Sequence, residues 1–227
     1  MEHFFDSREA VSIAAADCLA AALQRRLDVQ DKASLVVSGG STPERCLDAL
    51  SDMPLEWQRV HVLLSDERWV ASDDPDSNEA MIRKTLLKNH AAHAQLLPMY
   101  DGSTDIATRC ESLDKEIRAV PFPFASALIG MGEDGHFASL FADIENLKTG
   151  LDVDYAGLCL PVTTAASPHA RLSLTLAAIS RSDEVVLLIF GDTKRDVYER
   201  AKLAKNGFPV SRLLLQKRAP VHVFWAP

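Results

Sequence analysis

Apolar positions along the chain follow two rhythms. Across residues 7–27, Val11, Ala14, Ala15, Cys18, Leu19, Ala22 and Leu23 recur at the helical period. This predicts an amphipathic helix capped by Ser7, with an incomplete capping box because Ala10 stands where Glu would close it. Short apolar blocks at 35–37, 60–64, 124–129, 159–162, 172–176, 184–190 and 221–225 predict strands. The run Val185-Val186-Leu187-Leu188-Ile189 fits a strand buried on both faces, whereas 172–176 alternates and predicts one solvated face. Helices are expected over 77–88, over 104–119 and after residue 194, and 142–157 reads as irregular. The alternation predicts an α/β protein: a single domain over residues 1–227, Rossmann-like, with a mostly parallel sheet and helices on both faces. No internal repeat, low-complexity tract or linker interrupts it.

Four polar loops, 38–42, 65–69, 130–136 and 191–194, each follow a predicted strand. Open α/β sheets bind ligands at that carboxyl edge. Residues 130–141 read Gly-Met-Gly-Glu-Asp-Gly-His-Phe-Ala-Ser-Leu-Phe. Asp134 and His136, two positions apart, can form an acid/base pair; the same residues also suit a tight turn with a polar tip. Ser38-Gly39-Gly40-Ser41-Thr42-Pro43 leads into a helix, with Pro43 suited to its first turn. A helix start offers unpaired amides and a positive dipole end to a phosphate, or is simply a capped helix start. No Lys follows the glycines in Walker fashion, which disfavours a nucleotide loop. Arg68 suits either a two-pronged anion grip or a salt bridge to Asp66 or Glu67. Lys194 and Arg171 are further candidate cations, with a solvated surface lysine as the plainer reading of the first. Ser139 is expected on a helix after the turn rather than as a nucleophile. His169 receives no chemistry.

Bulk properties narrow the function classes. The chain has 227 residues, 47% hydrophobic and 25% charged, enough for a core of its own. A net charge of −8 argues against nucleic acid and anionic membranes as partners, so an anionic ligand needs a local cluster of cations and amides. Cys18, Cys46, Cys110 and Cys159 are widely spaced and form no Cys-x-x-Cys pair; reduced, buried thiols in a cytoplasmic protein are expected. Charged residues from Glu2 to Asp17 do not read as a signal peptide, and no apolar stretch approaches the length of a membrane span. There is no His-x-x-x-His pair and no Gly-x-Ser-x-Gly elbow. General acid/base work on an anionic small molecule, with no metal or other cofactor, is the chemistry left. Monomer and homodimer both stay open.

Taken together and in this order, the loops resemble the 6-phosphogluconolactonase family. The resemblance rests on Ser38 to Pro43, on Ser65-Asp66-Glu67-Arg68-Trp69-Val70 followed by Asp76-Ser77-Asn78, on Gly130 to Phe141, and on Gly191-Asp192-Thr193-Lys194-Arg195. It implies hydrolysis of 6-phospho-D-glucono-1,5-lactone without metal or organic cofactor. His136 and Asp134 would be catalytic, and Gly39, Gly40, Ser41, Thr42, Asp66, Arg68, Gly132, Arg171 and Lys194 would bind the substrate and its phosphate. Glucosamine-6-phosphate deaminase/isomerases share a similar Asp-Gly-His turn, but that branch carries a carboxylate five positions after the histidine, where this chain has Phe141. Its loop after the second strand is Asp-Glu-Tyr-like, whereas Arg68 follows Asp66-Glu67 here. A non-catalytic sugar-phosphate-binding regulator is a further alternative. Ala142 stands where the lactonase pattern usually has Pro.

Overall fold

In the computed structural model, which describes residues 1–103, 105–203 and 207–227, the chain opens with strand β1 (Glu2–Phe4) and helix α1 (Arg8–Leu27). Ser7 caps α1 by accepting from the Ala10 amide at 3.2 Å. Next come β2 (Ala33–Val37), α2 (Glu44–Ser51), β3 (Val60–Leu64), β4 (Asp66–Arg68), α3 (Asn78–Thr85), β5 (Gln95–Leu97) and α4 (Ile106–Ala119). The second half runs β6 (Ser126–Ile129), α5 (Leu147–Gly150), β7 (Cys159–Val162), β8 (Arg171–Leu174), α6 (Leu176–Ile179), β9 (Val185–Phe190), α7 (Asp192–Lys202), α8 (Pro209–Leu215) and β10 (Val221–Ala226).

Seven strands form a wholly parallel sheet in the order β1-β10-β9-β6-β2-β3-β5. Every residue of β2 and β6 is buried, as is β9 through Ile189, because helices cover both faces of a parallel sheet. α1 crosses β2, β6, β9 and β10, burying Val11, Ala15, Leu19 and Leu23. The strands β9, β6, β2 and β3 are neighbours and point the same way. Their four carboxyl-end loops therefore share one edge, which is what the sequence pattern predicted.

A second sheet, antiparallel in the order β4-β8-β7, stands beyond β3. Here the structure departs from the sequence reading. Residues 66–68, expected as loop, form β4, whose pairing with β8 sets Arg68 opposite Arg171. The alternating stretch at 172–176 ends as a strand at Leu174, and Leu172, Ser173 and Leu174 are all buried. The polar face of β8 is not solvated: Ser173 Oγ accepts the Ser139 amide at 3.1 Å and donates to the Leu174 carbonyl at 3.0 Å. Ser139 itself lies in a turn rather than a helix, since Ala138 at φ +48° has left the right-handed helical region.

Smaller differences follow the same logic. α3 stops at Thr85 rather than 88, and residues 142–157 include the short helix α5. The helix expected from 104 runs from Ile106 with Asp105 as its cap; Thr104 lies outside the described residues. Pro43 sits one place before the first residue of α2, as its N-cap.

Candidate active site

The turn after β6 builds an acid/base pair from its own backbone. The Gly132 amide donates to the His136 carbonyl at 2.9 Å, and the Gly135 amide donates to the Gly132 carbonyl at 3.0 Å. This folds Asp134 onto His136: Asp134 Oδ1 accepts the His136 amide at 3.2 Å and lies 2.5 Å from His136 Nδ1. A Cβ at Gly132 would stand 2.3 Å from the imidazole and 2.4 Å from Asp134 Oδ1, so the pair exists only over a glycine. On its other side the imidazole packs against Phe141, with ring centroids 4.0 Å apart. The Arg171 guanidinium carbon lies 5.4 Å from the centroid of that same ring.

The second component is a concentration of positive charge. Arg171 is largely buried, 3.5 Å from Asp66 Oδ2, and donates to Ser139 Oγ at 3.3 Å and Ser167 Oγ at 3.1 Å. Asp66 is held in turn by the hydroxyls of Ser65 at 2.8 Å and Ser139 at 2.5 Å. Arg68 makes no ion pair with Asp66 or Glu67, the plainer reading of that loop. Its Nη1 donates to Asn78 Oδ1 at 2.5 Å and to the Asp76 carbonyl at 3.0 Å. Asn78 Nδ2 donates to the Asp66 carbonyl at 2.8 Å. Asn78 occupies the space a side chain at residue 39 would need, since a Cβ there would lie 1.9 Å from Asn78 Oδ1.

Glu67, on the opposite face of β4, anchors this arrangement. Its buried carboxylate accepts the amides of Arg68, Asn78 and Glu79, each at 2.7 Å, and the Ser77 hydroxyl at 3.0 Å. Burial pushes its carboxyl up from the usual range, while these four donors oppose the shift.

Two helices begin at the site without a side-chain cap. Pro43 lends no acceptor to the first turn of α2, and Gly191 lends none to α7. Uncapped first-turn amides and the positive dipole end favour an anion. Lys194, in the first turn of α7, forms no ion pair among the described residues and is half-buried. Burial pushes its ammonium pKa below the usual value, partly offset by the charge of Glu133. Burial likewise pulls Arg171 down, against the attraction of Asp66.

These parts meet in a cavity of about 270 Å³, lined by Gly39, Gly40, Ser41, Thr42, Asp66, Arg68, Gly132, His136, Arg171 and Lys194. Asp134 is half-exposed behind the imidazole, and is the one residue of the predicted set outside the lining. A cavity of about 720 Å³ elsewhere, and one of about 860 Å³ that adjoins the site through Ser41, Thr42 and Lys194, hold no comparable acid/base pair, so size does not mark the chemistry. Sequence reasoning missed Asn78 and Ser139 as parts of the site. Asn78 had a signal, its position in Asp76-Ser77-Asn78 at a helix start; Ser139 had none, because its role depends on contact with Asp66. Among the described residues, no group of three or more His, Cys, Asp or Glu is placed to hold a metal, and no helix is long and apolar enough to cross a membrane.

The chain matches the family model described as glucosamine-6-phosphate isomerases/6-phosphogluconolactonase over residues 6–225. It is 37% identical over 223 residues to a 6-phosphogluconolactonase of Mesorhizobium japonicum, covering 98% of this chain and 94% of that protein. A 6-phosphogluconolactonase of Pseudomonas aeruginosa is 36% identical, covering 92% of this chain and 87% of its own length. Among solved structures, a 6-phosphogluconolactonase from Shewanella baltica superposes with a TM-score of 0.95 at 33% identity, covering 100% of this chain and 97% of that one. The edge of four loops, the acid/base turn and these similarities agree: the chain belongs to the glucosamine-6-phosphate isomerase/6-phosphogluconolactonase family.

Proposed function

We propose that this protein hydrolyses 6-phospho-D-glucono-1,5-lactone to 6-phospho-D-gluconate, the lactone-opening step of the oxidative pentose phosphate pathway, in the cytoplasm. One observation carries the reading beyond the relatives' names. His136, backed by Asp134, and the cations Arg68, Arg171 and Lys194 bound one cavity, so an anion held by the cations presents its far end to the imidazole.

In this mechanism the phosphate lies against Gly40, Ser41 and Thr42 and takes charge-assisted hydrogen bonds from the cations. Asp134 accepts from His136 Nδ1–H, which leaves the Nε2 lone pair as the base. Nε2 takes a proton from water as its oxygen bonds to C1. The tetrahedral intermediate then breaks the bond between C1 and the ring oxygen, and the imidazolium returns the proton to that oxygen. The Gly132 and Gly135 amides are committed to closing the turn, so they do not serve the oxyanion. Phe141 packs on the imidazole at the position where the deaminase branch has its ring-opening carboxylate, which favours ester hydrolysis over isomerisation.

The test is a coupled assay. Glucose-6-phosphate dehydrogenase generates the lactone in place, and phosphogluconate dehydrogenase reports the product. Turnover above spontaneous hydrolysis is expected, and His136→Ala should lower kcat by about 10²–10⁴-fold. Ammonia release from glucosamine 6-phosphate without lactone turnover would overturn the assignment.

A further inference from the structure

Two thiols that are 49 positions apart in sequence meet where α4 packs on β7. Cys110 Sγ and Cys159 Sγ are 3.1 Å apart, and Cys159 Sγ also lies 3.1 Å from the Cys110 carbonyl oxygen. Both cysteines are free. A disulfide needs a separation of about 2.05 Å, so an approach of about 1 Å completes the bond.

Their surroundings set this pair apart from the other two cysteines. Cys110 and Cys159 are 8% and 5% exposed, yet both line a cavity of about 610 Å³ with Glu111, Asp114 and Lys115 among its walls. A small oxidant has a path to them there. Cys46 is fully buried, and Cys18 lies against the Glu184 carboxylate at 3.3 Å. Burial raises the pKa of both of those thiols and holds them in the unreactive form. Within the pair the two sulfurs are unequal. The hydrogen bond from Cys159 lowers the Cys110 thiol, while Cys159 is pushed up by Cys110 and by burial.

We propose that Cys110 and Cys159 form a reversible oxidation site, in which hydrogen peroxide oxidises Cys110 and Cys159 then closes an intramolecular disulfide. The Cys110 thiolate attacks one peroxide oxygen. The O–O bond breaks, leaving a sulfenic acid and a hydroxide that leaves as water after taking up the thiol proton. Cys159 sulfur then attacks the sulfenic sulfur. The S–O bond breaks and a second water leaves with the Cys159 proton. Two thiols are oxidised and one peroxide is reduced to two waters; a dithiol reductant reverses the change. The cavity that admits the oxidant shares no lining residue with the active site, so the crosslink forms away from the lactone-binding groups. This inference does not depend on the proposed activity.

Hydrogen peroxide treatment of the purified protein, followed by alkylation under denaturing conditions and peptide mass spectrometry, tests it. Of the four thiols, two should remain alkylatable. One peptide pair joined through Cys110 and Cys159 should appear, and dithiothreitol should restore both thiols. In Cys159→Ser, the reaction should stop at a Cys110 sulfenic acid that dimedone traps. Four alkylated thiols after peroxide, or a crosslink through Cys18 or Cys46, would overturn the proposal. A dimedone adduct absent from Cys110 in the variant would overturn the order of the steps.

Discussion

Arg68 and Arg171 are directly opposed Cα partners across β4 and β8. Like charges at such positions repel and cost stability. Asp66 lies 3.5 Å from Arg171 and makes no ion pair with Arg68. Arg68→Gln removes no ion pair among the described residues, only the hydrogen bonds to Asn78 and the Asp76 carbonyl, and should lower the stability of the unliganded protein by about 1–3 kcal/mol. It should also remove most of the rise in Tm that saturating 6-phosphogluconate gives the wild type. Thermal denaturation with and without the product reads both quantities. An undiminished ligand-induced shift would detach Arg68 from the anion.

Gly39 and Asn78 form a dependency one step behind that arginine. An added methyl at residue 39 would lie 1.9 Å from Asn78 Oδ1, the acceptor that orients Arg68. Gly39→Ala should displace Asn78 and release the guanidinium. Hydrogen bonds to charged groups are worth about 1.5–3 kcal/mol, or roughly 10–100-fold in affinity. The expected result is a KM raised within that range with kcat little changed, and Asn78→Ala should reproduce it. A loss confined to kcat would place Asn78 at the reacting end instead.

Asp66 is the buried carboxylate that keeps Arg171 paired. Breaking a buried pair by removing one partner costs about 3–5 kcal/mol. For a chain of this size each kcal/mol is about 2–4 °C, so Asp66→Ala should lower Tm by about 6–20 °C. Ser139→Ala removes the hydroxyl that bonds both Asp66 and Arg171 but leaves the ion pair in place, and should cost less. Calorimetry on the two variants separates them, and equal losses would mean the ion pair contributes little.

Lys194 gives the site a pH dependence of its own. Burial lowers its pKa below the ordinary 10.5, and only the protonated form attracts phosphate. Affinity for 6-phosphogluconate should be full at neutral pH and fall as pH rises through the lowered pKa, before an ordinary lysine would titrate. Lys194→Arg, charged throughout, should hold its affinity across the same range. Isothermal titration from pH 7 to 10 decides it: parallel profiles for the two proteins would assign the loss to another group.

Five strands of the main sheet, β2, β3, β6, β9 and β10, and the edge that carries the site were legible because each loop is local, whereas the three-residue outer strands β1 and β5 were not foreseen. A buried apolar block, a glycine-rich break and a helix start lie within about a dozen residues, and chemistry such as Asp134–His136 needs only a two-residue spacing. Of the second sheet, β7 and β8 were read as strands, but β4 and the separateness of the sheet were not, since β4 is three charged residues without apolar alternation and is defined by its partner β8. The same applies to Glu67. Nothing local marks it as the buried acceptor for the start of α3, because three of its four donors arrive ten or more residues later. Ser139 was misread as helical because composition does not reveal that Ala138 adopts φ +48°.

The acid/base turn is stitched together by its own amides, whereas the opposed arginines come from distant parts of the sequence and meet only when β4 and β8 pair. One half of the site is thus short-range and the other half long-range. The spacing of the acid/base pair is set within one turn, whereas the grip on the anion needs β4 and β8 to pair. Substrate affinity then serves as a gauge of tertiary integrity. Substitutions that loosen the pairing of β4 with β8 should weaken recognition of the anion while leaving the spacing of the proton-transfer pair unchanged.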